Sequence, residues 1–285
     1  MEIAQVVGPD LRRLANTLLK IYQVNGKASE WLMSLAEGEI DGLHKESTPV
    51  RLGRHRDSNE SNSDPDQSRR DVGKAGLVDA NILFRGNSLL TKALDAHMKR
   101  LGREYLEETL GDQLREIAED DTYCEVDPLR IEPGENLGKN WKILMGIVKG
   151  IWKGIFNSHE KCPMELRKIL RHIRACVEDR YGDLLKKVCY SSVCGFLFLR
   201  FFCPAILNPK LFGLLKGALI YPFFFFLFLY REMVLKLCAD HPGVRAQRTL
   251  TLVAKSLQGL ANMSTFGVKE PWMEPMNEFL GVGFT

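Results

Sequence analysis

Apolar residues recur at helical spacing through most of the chain. Leu11, Leu14, Leu18, Ile21 and Tyr22 form one stripe, with Arg12, Arg13 and Lys20 off it, which predicts a helix over 10–35. A second short helix fits 29–39. Leu90, Leu94, Met98, Leu101 and Tyr105 share one face of another, and 110–119 reads as a further helix. Trp141, Leu144, Val148, Ile151 and Ile155 form a long stripe with Lys142, Lys149 and Lys153 off it. Leu166, Leu170, Ile173 and Val177 form the next, ending near Tyr181-Gly182. No strand-length alternation competes with these stripes, so the predicted fold class is all-α.

One stretch is apolar on nearly every side. Gly195 to Cys203 reads as a helix inside a core, and Pro204 is expected to stop it, because proline disfavours helical geometry in the residue before it. Arg200 is out of place there. An unpaired buried guanidinium costs several kcal/mol, so its donors need backbone carbonyls or a carboxylate. A structural salt bridge and a functional site are both open on chemistry alone.

Two stretches break the pattern. The run RHRDSNESNSDPDQSRRD, within about 44–74, has almost no apolar residues and reads as a disordered loop. Gly217 to Ala239 is the opposite: an apolar insertion with four consecutive phenylalanines, Phe223 to Phe226. Between these interruptions lies Asn81-Ile82-Leu83-Phe84-Arg85-Gly86-Asn87. Gly86 and Asn87 are turn residues, and either Asn87 or Ser88 can cap the following helix, which puts Arg85 on a tight loop.

Composition narrows the chemistry. With 285 residues, 45% hydrophobic and 26% charged, the chain is an ordinary globular one, large enough to need no staples. A net charge of +3 is too small to argue for nucleic acid. Seven cysteines lie without a C-x-x-C pair or metal-ligand spacing, so no metal site is expected; Cys189, Cys194 and Cys203 read as small core side chains. The odd count fits a reducing, intracellular compartment, and the first residues show no signal-peptide pattern. No phosphate-cradling G-x-x-x-x-G-K-[ST] or G-x-G-x-x-G occurs, and neither H-E-x-x-H nor G-x-S-x-G; the six histidines are scattered and read as structural.

The run FLFLRFFCPAILNPKLFG resembles the signature of the Ras GTPase-activating protein family, in which Phe-Leu-Arg precedes Pro-Ala-Ile-Leu-Asn-Pro. Leu83-Phe84-Arg85-Gly86-Asn87-Ser88-Leu89 resembles that family's arginine-finger loop. Thr249 to Gln258, with Leu260-Ala261-Asn262 after it, resembles its next core helix. The three occur in the family's order, and the likeness runs from about Asp10 to Pro275.

The resemblance implies a single RasGAP-like helical domain over 1–285. It implies a GTPase activator, with no active site of its own, that supplies a catalytic arginine in trans to a small Ras-like GTPase in its GTP-bound state. Arg85 matches the finger and Arg200 the arginine that braces the finger loop by its carbonyls. Phe84 would pack at the loop base, and Asn208, Lys255 and Asn262 match positions at or near the GTPase-binding groove. GTP and Mg²⁺ would be held by the partner, leaving this chain without a cofactor. The expected location is cytoplasmic, with membrane recruitment only peripherally through the partner, and the small net charge argues against a nucleic-acid partner.

Two departures shape the alternatives. Residues 217–239 intrude where the family runs on, and the chain stops at Thr285, where the family continues, an expected C-terminal truncation. A non-catalytic Ras-binding scaffold is therefore the second reading. A membrane anchor through 211–230 is the third, although Lys216 and Pro222 interrupt that run. The insertion itself reads as a retained intron, a hydrophobic loop or a membrane segment.

Overall fold

The structure, a computed structural model, describes residues 10–46, 86–181, 193–215 and 242–282. The described residues are helices, turns and loops, without a strand among them, as the periodicity predicts. The apolar insertion over 217–239 lies outside the described residues. So does the expected loop over 44–74, except 44–46, which close a helix. Among the described residues no helix is long and apolar enough to cross a membrane; most of the 211–230 run lies outside them. Backbone contacts divide the chain into two compact units: Met1–His97 with Met164–Phe196, and Met98–Pro163 with Leu197–Thr285.

The first unit contains α1 (Leu11–Val24), α2 (Ala28–Glu46), most of α3 (Leu89–Leu101) and α7 (Met164–Tyr181). The single helix expected over 10–35 is instead two. Asn25 ends α1, Gly26 takes a left-handed φ of +68°, and two N–H groups turn back: Gly26 to the Gln23 carbonyl at 3.1 Å and Lys27 to that of Tyr22 at 2.9 Å. This C-terminal motif satisfies carbonyls that a helix end otherwise orphans. Ala15 and Leu19 of α1, and Leu32, Ala36 and Ile40 of α2, are buried. α2 packs mainly along α7, where Leu166, Ile169, Ile173 and Val177 are buried and Leu170 only half so.

Ser88 caps α3: its Oγ accepts the Thr91 N–H at 3.1 Å, while the Thr91 hydroxyl, wholly buried, reaches the Gly86 carbonyl at 3.1 Å. His97, also wholly buried, is hydrogen-bonded to Glu165 and Gln23, each at 3.2 Å.

In the second unit the helix expected to run through Tyr105 bends at Gly102 and continues as α4 (Arg103–Leu106). A Cβ on Gly102 would lie 2.3 Å from the Phe201 ring and 2.7 Å from the Met98 carbonyl oxygen, so only glycine admits that ring. A π turn, Glu107–Gly111, leads into α5 (Asp112–Glu119). α6 (Leu137–Asn157) starts at Asn136, whose Oδ1 accepts the Lys139 N–H at 3.0 Å, and buries Leu144, Val148, Ile151 and Ile155 as expected; Trp141 is half-buried. α8 (193–197) belongs to the first unit up to Phe196; the second unit resumes at Leu197 and contains a π turn Phe198–Phe202, α9 (Cys203–Leu207), α10 (Val244–Ala261), a 3₁₀ turn Pro271–Met276 and α11 (Asn277–Val282).

Candidate functional site

The site is built on the π turn Phe198–Phe202 and α9. The expectation that Pro204 stops this helix is corrected: the chain stays helical through it. The physical reason is the π turn. The Cys203 N–H bonds the Phe198 carbonyl, five residues back, so the ladder is already shifted where Pro204 arrives, and Pro204 falls in the first turn of α9. Proline is tolerated there because its missing N–H has no intrahelical partner to lose.

Five aromatic rings hold the turn. Phe201 lies 6.2 Å from Tyr105 in a stacked arrangement and 5.3 Å from Phe202; Phe198 lies 5.4 Å from Phe202 and 6.0 Å from Trp152. The Tyr105 hydroxyl meets Ser158 Oγ at 2.7 Å, and Ser158 donates to the Ile155 carbonyl, which leaves Tyr105 as the donor to serine. Phe198, Phe201 and Phe202 are buried, so the reading of this stretch as core holds. Arg200 differs from expectation. It sits in the middle of the π turn and is half-buried rather than engulfed. The extra residue of a π turn widens the helix and swings one position toward the edge.

α9 runs antiparallel to α10. Cys203 Sγ lies 3.6 Å from the Ala254 carbonyl, whereas four residues later the Leu207 carbonyl accepts from Gln247 Nε2 at 2.9 Å. Burial pushes the Cys203 thiol up to about 12, which makes it an inert core group. Asn208 then closes α9. Its carbonyl accepts the N–H groups of Leu211 at 3.0 Å and Phe212 at 3.4 Å, and its side chain is exposed. This turn opens a cleft of about 410 Å³ between Asn208, Pro209, Lys210 and Leu211 on one side and Pro242 and Gln247 on the other.

Lys255 and Asn262 lie further along α10 and do not line that cleft. Lys255 is paired with Glu270 and stands 5.4 Å from the Trp272 ring centre. Arg248, two turns earlier, lies 5.9 Å from the same ring. Asn262 caps the C-terminus of α10, with its N–H on the Gln258 carbonyl at 2.9 Å. Arg85 and Phe84, the expected finger and its support, lie outside the described residues.

Sequence reasoning missed the groups that fix α10. Gly243 has no side chain to cap it, and Asp121 Oδ1 accepts the Ala246 N–H at 3.0 Å instead. Glu125, almost wholly buried, is bridged by Arg248. Burial pushes the Glu125 carboxyl up, but the Arg248 hydrogen bonds and the N–H groups of Asp127 and Val126 outweigh it and hold it below its ordinary value. Acid and base stand 123 residues apart, and no local pattern links them.

Residues 75–136 and 132–262, more than half of the chain, match the family model described as GTPase-activator protein for Ras-like GTPase. A Dictyostelium discoideum protein described as a probable Ras GTPase-activating-like protein, ngap, is 36% identical over 269 residues, which are 94% of this chain and 24% of that protein. The Caenorhabditis elegans Ras GTPase-activating protein gap-2 is 37% identical over 206 residues, 72% of this chain and 15% of that protein. The human Ras GTPase-activating protein nGAP is 30% identical over 268 residues, 94% of this chain and 18% of that protein. The chain thus spans a quarter or less of the length of these relatives. An all-α chain with the Phe-Leu-Arg to Asn-Pro signature on its π-turn helix, matched by the family model over most of its length, belongs to the family of GTPase-activator proteins for Ras-like GTPases.

Proposed function

We propose that the chain accelerates GTP hydrolysis on a small Ras-like GTPase in its GTP-bound state, and so turns off the signal that GTPase carries. Phosphoryl transfer asks the protein for charge stabilisation and positioning more than for covalent chemistry. An arginine suits that task because its planar fork pairs with phosphate oxygens and keeps its charge. In this reading Arg85 is the finger, Arg200 braces the finger loop, and Phe84 packs at its base. Asn208, Lys255 and Asn262 meet the GTPase. The partner holds GTP and Mg²⁺, and this chain brings no cofactor and no active site of its own. The chain acts in the cytoplasm and reaches the inner membrane face only through its partner. Nucleic acid has no part in it.

The observation that carries this reading is the exposed Asn208 turn at the end of the π-turn helix, with its cleft against Gln247 of α10. It offers backbone and amide groups beside an apolar floor, which is the make-up of a protein-docking surface. A single-turnover GTP hydrolysis assay against Ras-, Rap- and Rho-type GTPases tests it. Acceleration of at least one is expected. Binding of the GTP-bound form with no acceleration would instead establish the second reading, a non-catalytic scaffold, which the apolar insertion at 217–239 favours.

A further inference from the structure

The first unit brings together three metal-ligating side chains that the sequence separates. Glu37 stands on α2, and His172 and Cys176 stand one turn apart on α7. His172 Nε2 lies 2.7 Å from Glu37 Oε1 and 3.5 Å from Cys176 Sγ, and the three ligand atoms lie within 4.8 Å of one another. Both histidine and cysteine are half-buried, and Glu37 is exposed.

These distances suit one metal class. A tetrahedral zinc ion, with bonds of about 2.0–2.1 Å to nitrogen and about 2.3 Å to sulfur, sets those two atoms about 3.5 Å apart. The nitrogen and sulfur are already at that spacing. The carboxylate must retreat by about half an ångström to reach the about 3.3 Å that tetrahedral nitrogen and oxygen ligands need, a small move for an exposed glutamate. The i, i+4 pair on one helix fixes two ligands on rigid backbone, and the third comes from the helix packed against it. The local field has the matching sign. Glu37, Asp41 and Asp179 bring negative charge to this end of α2 and α7, which attracts a dication.

We propose that Glu37, His172 and Cys176 form a binding site for a divalent ion of the zinc class, with water in the fourth position. On binding, the Cys176 S–H bond breaks, a sulfur–metal bond forms and the proton leaves to solvent; no electron is transferred. The ion ties α2 to α7 and stabilises that pair as any ligand specific to the folded state does. This site is independent of GTPase activation.

Titration of the full chain with cobalt(II) alone tests the proposal. One equivalent is expected to produce a thiolate-to-cobalt charge-transfer band that zinc then removes. His172→Ala should weaken binding tenfold or more, and Cys176→Ser should abolish the band, while Cys162→Ser changes neither. Metal-free circular dichroism checks that the variants keep their helices. A second measurement needs no variant: zinc should slow alkylation of Cys176 in the unaltered chain, read by peptide mass spectrometry. No band at one equivalent of cobalt, a band that survives Cys176→Ser, or alkylation of Cys176 indifferent to zinc would each overturn the site and leave a plain histidine–carboxylate hydrogen bond.

Discussion

Arg248 grips Glu125 with two nitrogens, Nε to Oε2 at 2.6 Å and Nη2 to Oε1 at 3.1 Å, and so fastens α10 to the loop after α5. The grip is reinforced from the other side. Glu125 also accepts the backbone N–H groups of Val126 and Asp127, and its own carbonyl accepts from the buried Asn140 side chain at 3.0 Å. A buried carboxylate that accepts four hydrogen bonds is a rigid joint rather than a surface ion pair.

Glu125→Gln should therefore cost about 2 kcal/mol at neutral pH, the value of a charge-assisted hydrogen bond. Its pH dependence has a definite sign. The folded-state pKa is lowered, so the contribution is present above the unfolded value near 4.5 and is lost as pH falls through the folded pKa. Denaturant melts at pH 7 and pH 3 check it: the gap between the two proteins should shrink in acid, and a constant gap would exclude a titrating carboxylate.

Gly102→Ala separates packing from propensity. In a helix interior alanine would be favoured by about 1 kcal/mol, but Gly102 stands at the bend between α3 and α4, where that preference counts for little. The new Cβ would lie 2.3 Å from the buried Phe201 ring, and overpacking costs about 1–3 kcal/mol. Net destabilisation is expected in thermal melts. Gly102→Ala with Phe201→Leu should recover part of the loss, because the obstructing ring is gone.

Arg85→Ala should abolish the acceleration of GTP hydrolysis and leave binding to the GTP-bound partner nearly intact, because a finger acts on charge that develops in the transition state. In Ras-type systems generally, a finger is worth roughly 10³–10⁵ in rate. Equal losses of affinity and rate, from paired binding and single-turnover measurements, would remove Arg85 from this role.

Arg200→Ala should lower both thermal stability and activation, and Arg200→Lys should restore little of either. One ammonium cannot reproduce a planar fork bridging several carbonyls. A lysine variant with full activity and an unchanged melting temperature would contradict the bracing role.

Deleting 217–239 should raise soluble yield and keep or increase activation, because four consecutive phenylalanines are an aggregation hazard. Transcript sequencing addresses the origin of the segment. Mature messages that uniformly carry these codons would end the intron reading.

By itself the sequence determined the helical class, the stripes of α6 and α7, the core character of Phe196 to Ile206 and the family likeness, because each is written in neighbours three or four residues apart or in one contiguous signature. The start of α3 was legible too, since a serine before an apolar rhythm is a local cap. Tertiary structure decided what depends on distant partners. The break at Gly26 ends α1 where a periodic stripe suggested one longer helix, because α1 and α2 each need their own packing face. Pro204 stays inside a helix because a π turn, wedged among Tyr105, Trp152 and the phenylalanines, had already displaced its hydrogen-bond ladder. Glu125 met Arg248, and Glu37 met His172 and Cys176, only when separate helices packed. Side-chain partners across 123 or 135 residues leave no periodic trace in the chain, since their proximity is set by burial of apolar faces and not by the charged residues themselves.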